Sequence, residues 1–164
     1  HDYNYLTDFA FRDMNIIANK FLAMSTPTNI TIPYIKEELL KRNIKTIIRL
    51  NEKDSYDKNF FNNIDNDKNI NVVDFYFEDY TTPTIKLIRN FMSFVNDIPH
   101  DEVIAIHCRA GLGRTGLLIC IWLIIKYDFT SSNAIAFIRL MRPGSIHGYQ
   151  GFFLESINSF KKFI

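Results

Sequence analysis

Apolar positions along this chain fall into two alternating patterns, short β-branched runs and longer stretches at helical spacing. The runs at 46–50, 72–77 and 103–107 are rich in Val and Ile and bounded by polar residues, which predicts buried strands. Residues 14–18 and 21–24 predict two further short strands joined by a turn at Asn19-Lys20. After a loop at Pro27, Thr28 and Asn29, Thr31 and Pro33 mark a helix start. Ile35, Leu39 and Leu40 give that helix an apolar face to about Arg42, with Glu37, Glu38, Lys41 and Arg42 on its solvated side. Ile85, Ile88, Phe91, Met92, Val95 and Ile98 repeat at helical spacing behind a loop at 78–83. Thr82 and Pro83 close that loop as helix-start residues, and Pro99 ends the helix. Residues 117–125 are apolar on nearly every side, which predicts a helix at the centre of the fold. Ser131 or Ser132 caps another helix running through Met141, where Arg142-Pro143-Gly144 stops it. Residues 149–160 form a last amphipathic helix with Phe153, Ile157 and Phe160 on one face. Residues 3–11 predict a short helix or strap at the domain edge, and the polar stretch 51–71 holds one short amphipathic helix around Phe60, Phe61 and Ile64. Strands alternate with helices, so the economical architecture is α/β: a central, mainly parallel sheet flanked by helices.

Composition narrows this only slightly. A length of 164 residues suits one domain, 1–164, large enough to bury a substantial core. With 19 basic and 18 acidic side chains the net charge is +1, so no bulk attraction to nucleic acid or to an anionic membrane is expected. The longest apolar run is about nine residues, whereas a membrane span needs about 20. Two cysteines, Cys108 and Cys120, are too few for a disulfide scaffold and point to a reducing, intracellular compartment. Cys120 lies within the apolar helix and reads as a packed core thiol. His1, His100 and His147 lack metal-ligand spacing, so no chemistry is assigned to them and they call for no metal or cofactor.

The chemistry gathers between the third β-branched run and the central helix, in His107-Cys108-Arg109-Ala110-Gly111-Leu112-Gly113-Arg114-Thr115-Gly116. A sharp strand-to-helix turn there aims the amides of residues 109–114 and the helix N-terminus at one anion. The same groups favour a thiolate at Cys108, since thiols in such settings titrate at roughly 3.5–7.5 rather than about 8.5. Arg114 supplies a bidentate fork for phosphoryl oxygens. Gly111 and Gly113 let the backbone close around the anion, and His107 orders the loop by hydrogen bonding. A thiolate attacking a phosphate ester also needs an acid that then serves as a base. Asp79 is the candidate, flanked by Phe77 and Tyr80, and Glu78 is its local competitor. Arg142 has three readings: a support for the loop, a substrate-anion contact, or a cation at a helix end.

The decapeptide resembles the signature loop of the cysteine-dependent protein tyrosine phosphatase superfamily. That resemblance implies two-step phosphoryl transfer through a thiophosphate intermediate, without metal, on phosphoprotein substrates. Residues 77–83, Phe21-Leu22-Ala23, Ile48-Arg49-Leu50-Asn51, Arg142-Pro143-Gly144-Ser145-Ile146 and Gln150-Gly151-Phe152-Phe153-Leu154-Glu155 are similar to the mitotic-exit dual-specificity phosphatases, the cell-division-cycle-fourteen family. By that resemblance Asp79 matches the acid, Gln150 the residue that positions the hydrolytic water, and Thr115 would donate its hydroxyl to the departing sulfur. The chain departs from that family at Tyr80, where a glycine is expected, and at Arg109, where a lysine is. It has no room for the second, N-terminal phosphatase-like domain. Pro27-Thr28-Asn29 and Ser55-Tyr56-Asp57-Lys58 look more like the phosphatases of regenerating liver. Two alternatives stay open: a phosphoinositide or RNA 5′-triphosphate phosphatase using the same residues, as Glu78-Asp79 also resembles the phosphatase and tensin homologue, and a silent phosphopeptide-binding module. The physiological substrate and the oligomeric state are not encoded in any motif.

Overall fold

A computed structural model describes residues 13–62 and 68–164. Five strands, β1 (Asn15–Ile17), β2 (Phe21–Met24), β3 (Thr46–Arg49), β4 (Asn71–Asp74) and β5 (Ile104–His107), form one sheet in the order β1-β2-β5-β3-β4. Only β1 runs antiparallel, to β2. The helices are α1 (Ile32–Lys41), α2 (Ile85–Asp97), α3 (Gly113–Tyr127), α4 (Ser131–Met141) and α5 (Tyr149–Phe160). The predicted mainly parallel α/β architecture is therefore the observed one. The strap expected at 3–11, and Ile64 of the polar stretch, lie outside the described residues.

Strand residues alternate between two cores, as the period of two requires. Phe21, Ala23, Ile48, Ile104 and Ile106 face α2 to α5, whereas Leu22, Met24, Ile47 and Ala105 face α1. Both faces are covered, which is why these strands read as continuous apolar runs. Helix α3 is buried from Arg114 to Ile124 and forms the centre of the larger core. Cys120 sits there as predicted: its thiol donates to the Ala134 carbonyl at 3.5 Å, and burial pushes its pKa up to about 12.

Several predicted boundaries move. The run at 72–77 pairs as a strand only to Asp74, because its partner β3 ends at Arg49 opposite it. Phe75 and Phe77 still donate to the carbonyls of Arg49 and Leu50, at 3.0 and 3.4 Å, and lead the chain out over the sheet edge. Helix α2 is capped by Thr84, not by Thr82 and Pro83; the Thr84 hydroxyl accepts from Leu87 N at 3.1 Å. Thr130 rather than Ser131 or Ser132 caps α4, accepting from Asn133 N at 3.1 Å. In both, the cap is the threonine with extended backbone just before the first helical residue, from which its hydroxyl reaches the third amide. The β1–β2 turn is Ala18-Asn19, with φ of 53° and 52°, one residue earlier than expected. Lys20 is displaced inward, where its ammonium donates to the carbonyls of Pro99 and Glu102, each at 3.0 Å. In 51–71 the chain forms two 3₁₀ turns, Lys53–Ser55 and Lys58–Phe61, with Phe61 buried and Phe60 exposed.

Register fixes where the site must be. Met24, His107, Arg49 and Asp74 stand in one row across β2, β5, β3 and β4. The segments that leave these four positions, at 25–26, 108–113, 50–51 and 75–79, therefore emerge together at the carboxyl edge of the sheet, where open α/β sheets place their ligands.

Candidate active site

The turn after β5 is built on carbonyl acceptors and buried donors. Gly111 holds φ of +70°, and a Cβ there would lie 2.1 Å from the Met24 carbonyl oxygen, so only glycine lets the loop pass this close to β2. Thr26 N donates to Arg109 O at 2.9 Å, Ser25 Oγ to Ala110 O at 3.1 Å, and the Thr26 hydroxyl to Cys108 O. Asn51 Nδ2 donates in turn to Thr26 Oγ1 at 3.0 Å. Cys108 itself is buried, while Arg109 and Ala110 are exposed.

Arg142 braces the loop from behind. Its Nε donates to Gly111 O at 2.7 Å and its Nη2 to Ala110 O at 3.0 Å, while the other contacts run to Asp13, Asn15 and Ala23 O. Of the three readings the sequence left open, the structure shows the loop support. A guanidinium engaged on every nitrogen and buried has no fork left for a substrate anion.

His107 is fully buried, with Nδ1 3.0 Å from Cys108 O and Nε2 2.8 Å from the Tyr56 hydroxyl. A carbonyl only accepts, so Nδ1 carries the proton. Burial lowers the His107 pKa to about 4, outweighing the bond to Cys108, so near neutral pH the ring is uncharged and Nε2 accepts from Tyr56. Burial also pushes the Tyr56 pKa up, which keeps this donor protonated. Behind Tyr56, Arg49 donates to Asp74 through Nε at 2.6 Å and Nη2 at 3.2 Å, and through Nη1 to Tyr56 O at 2.8 Å. Its guanidinium lies 4.7 Å from the Tyr56 ring centre. His107 thus links the Cys108 carbonyl to Tyr56. The chain Asp74, Arg49, Tyr56 behind it was not read from the sequence. An arginine closing a buried Ile-Ile strand was the available signal, because such a charge needs a partner.

His107 carries a consequence for acid stability. Its folded pKa of about 4 lies below the usual 6.5, so the unfolded chain binds the extra proton between these values. Its contribution is complete above about pH 6.5 and is lost as pH falls through about 4. Urea unfolding from pH 7 to pH 4.5 is expected to lose on the order of 2 kcal/mol less in His107→Gln than in the unsubstituted chain. An identical slope in both would refute this role.

The remaining predicted residues converge on the same turn. Arg114 is buried, with Nη1 donating to Phe77 O at 2.9 Å, and its Nε faces Asp79 Oδ1 at 3.6 Å. Of the two neighbouring carboxylates, Asp79 is the one in an ion pair with Arg114; Glu78 is exposed, and its carbonyl accepts from Thr81 N and Oγ1. Gln150 is buried, accepts from His147 N at 2.9 Å, and holds Nε2 3.4 Å from where a Gly113 Cβ would stand. Leu112 precedes α3 as its cap residue. Among the described residues, the buried side-chain atoms without a hydrogen-bond partner are Asn51 Oδ1, Arg114 Nε, Thr115 Oγ1 and Trp122 Nε1. The first three belong to the segments that bracket Cys108.

Known proteins are similar to this chain in sequence and in fold. The Tyrosine-protein phosphatase CDC14 homolog of Schizosaccharomyces pombe is 36% identical over 169 residues, covering 94% of this chain and 30% of that protein. The Dual specificity protein phosphatase CDC14AB of Danio rerio is 42% identical over 123 residues, covering 75% of this chain and 18% of that protein. The chain thus spans less than a third of the length of these curated relatives. Among solved structures, Tk-PTP in its active form superposes with a TM-score of 0.74 at 17% identity, covering 93% of this chain and 98% of that one. PTPMT1 in complex with PI(5)P gives 0.74 at 17% identity, covering 92% and 97%. These likenesses identify the fold as that of the protein tyrosine phosphatases. The family described as "Polymorphic toxin system, DSP-PTPase phosphatase" matches residues 22–128, from the second residue of β2 to the residue after α3. The match takes in both Asp79 and the whole Cys108 turn, and by it the chain belongs to the DSP-PTPase phosphatases.

Proposed function

We propose that this chain is one catalytic domain that hydrolyses phosphate monoesters on phosphoproteins, with dual specificity and through a cysteinyl-phosphate intermediate. The observation that carries the reading is the set of buried side-chain atoms, on the segments that flank Cys108 in the sheet, that have no hydrogen-bond partner in the chain: Arg114 Nε, Thr115 Oγ1 and Asn51 Oδ1. Burying such groups costs roughly 1–3 kcal/mol each. A phosphoryl group accepts hydrogen bonds on three oxygens and is the ligand that offsets this cost for Arg114 Nε, while the single Thr115 O–H is kept for the sulfur.

In the first step the Cys108 thiolate forms a bond to phosphorus as the ester bond breaks, and Asp79 gives its proton to the leaving oxygen. Arg114 and the amides of 109–114 hold the equatorial oxygens, whose charge they stabilise. In the second step water attacks the thiophosphate. Asp79 takes a proton from that water, Gln150 positions it, and the Thr115 hydroxyl donates to the departing sulfur. Inorganic phosphate leaves and the thiolate is regenerated. A catalytic thiol without a disulfide partner works in a reducing compartment, which supports an intracellular site of action.

The test is steady-state hydrolysis of phosphotyrosine and phosphoserine peptides. Asp79→Asn is expected to lower kcat roughly 100-fold or more, the lower range for removing a general acid. Glu78→Gln is expected to leave it within about twofold, since Glu78 is exposed and the ion pair to Arg114 is made by Asp79. Equal losses in the two variants would overturn the assignment of the acid.

A further inference from the structure

Asp13 stands just ahead of β1 and ties together two residues that both hold the Cys108 turn. Its Oδ2 accepts from Ser25 N at 2.8 Å, its Oδ1 from Arg142 Nη2 at 2.9 Å, and its carbonyl oxygen from Arg142 Nη1 at 2.5 Å. Ser25 Oγ and Arg142 Nη2 then converge on one acceptor, Ala110 O, at 3.1 and 3.0 Å. These bonds close a ring that runs from Asp13 to Ser25, Ala110, Arg142 and back. Arg142 Nε adds a bond to the next carbonyl, Gly111 O, at 2.7 Å. Arg142 is buried, and Asp13 is the carboxylate in an ion pair with it. A buried guanidinium needs such a partner, and the planar fork takes its orientation from the carboxylate it meets.

The direction of the two loop carbonyls decides the direction of two amides. A trans peptide is planar, and its C=O points opposite to the N–H of the following residue. Among the described residues no peptide bond is cis. With Ala110 O and Gly111 O turned to Arg142, the N–H groups of Gly111 and Leu112 point away from it. Thr26 does the same for the two preceding peptides, its hydroxyl donating to Cys108 O and its N to Arg109 O at 2.9 Å. The four carbonyls from 108 to 111 are thus each taken by a donor outside the turn, and Asp13 stands behind the last two.

We infer that Asp13 is a positioning residue of the turn: through Ser25 and Arg142 it aims the amides of Gly111 and Leu112 at the oxygens of the transferring phosphoryl group. The inference rests on the phosphatase reading above, in which the amides of 109–114 hold those oxygens. Donors aimed at charge that develops during the reaction act on kcat more than on substrate binding. Amides that swing off line therefore slow the chemical step while KM changes little.

The experiment measures kcat and KM for an aryl phosphate, and the inhibition constant of vanadate, in the unsubstituted chain, Asp13→Asn and Ser25→Ala. Asp13→Asn keeps the shape of the side chain and one acceptor oxygen but removes the charge that orients Arg142. Ser25→Ala cuts the other arm of the ring at an exposed bond and leaves the Asp13–Arg142 pair in place. Asp13→Asn is expected to lower kcat roughly tenfold with KM within about threefold, and to weaken vanadate by a similar factor. Ser25→Ala is expected to shift kcat and vanadate affinity the same way, by roughly threefold, because Arg142 still holds Ala110 O. A kcat within about twofold of the unsubstituted chain in Asp13→Asn, whatever happens to its urea midpoint, overturns the positioning role and leaves the phosphatase reading standing. Should Asp13→Asn not fold, kcat and vanadate affinity both unchanged in Ser25→Ala overturn the role instead. Failure of the unsubstituted chain to hydrolyse the aryl phosphate overturns both readings.

Discussion

Cys108→Ser is expected to abolish hydrolysis of an aryl phosphate, with kcat falling roughly 10⁴-fold or more, the scale seen when a nucleophile is removed. The hydroxyl that replaces the thiol stays protonated near neutral pH, so no anion attacks phosphorus. The surrounding turn is held by groups the substitution does not touch: Thr26, Ser25 and Arg142 bind the loop through backbone carbonyls. The variant is therefore expected to fold normally and still bind vanadate or inorganic phosphate, which separates loss of chemistry from loss of structure. Turnover within tenfold of the unsubstituted chain would refute Cys108 as the nucleophile.

The second large effect lies at Arg142, away from the reacting atoms. Its guanidinium makes bonds to Gly111 O at 2.7 Å, Ala110 O at 3.0 Å, Asp13 O at 2.5 Å, Asn15 Oδ1 at 2.8 Å and Asp13 Oδ1 at 2.9 Å. Arg142→Ala removes this donor from Gly111 O, Asp13 O, Asn15 Oδ1 and a partly buried carboxylate, with Ala110 O keeping Ser25 Oγ, and is expected to destabilise the fold by about 3–5 kcal/mol in urea unfolding. Arg142→Lys is expected to recover less than half of that, because one ammonium cannot span acceptors on both sides of a planar fork. Released carbonyls would also let the loop at 110–111 drift from β2, so phosphate affinity should fall with stability. A loss below about 1 kcal/mol with unchanged affinity would show that the brace is dispensable.

Gly111 illustrates how sequence and fold share this site. Its presence between Cys108 and Arg114 marked a close backbone approach, but the partner it approaches, the Met24 carbonyl, became visible only with β2 beside β5. Asp79 and Glu78 were adjacent carboxylates in one loop, and neighbouring positions in a loop carry no periodicity that says which way each points. The choice between them came from Arg114, 3.6 Å from Asp79 in space and fixed by the first turn of α3. Tyr80 stood out in sequence as a departure from a resembled glycine, and the positive φ explains why a glycine suits that position.

The sequence by itself determined the alternating strands and helices, the buried central helix, and the strand-to-helix turn that carries the thiol, glycines and arginine. These are local properties: a run's periodicity states which face is buried, and a turn's spacing states which amides converge. Tertiary structure alone decided that Arg142 braces the loop, that Asp74, Arg49 and Tyr56 stand behind His107, and that Thr26, held by Asn51, reaches the Cys108 carbonyl. Arg142 meets Asp13 across 129 positions and Tyr56 meets His107 across 51. Such pairs depend on strand order and register, and no pattern within a single segment encodes which distant partner a buried polar group will find.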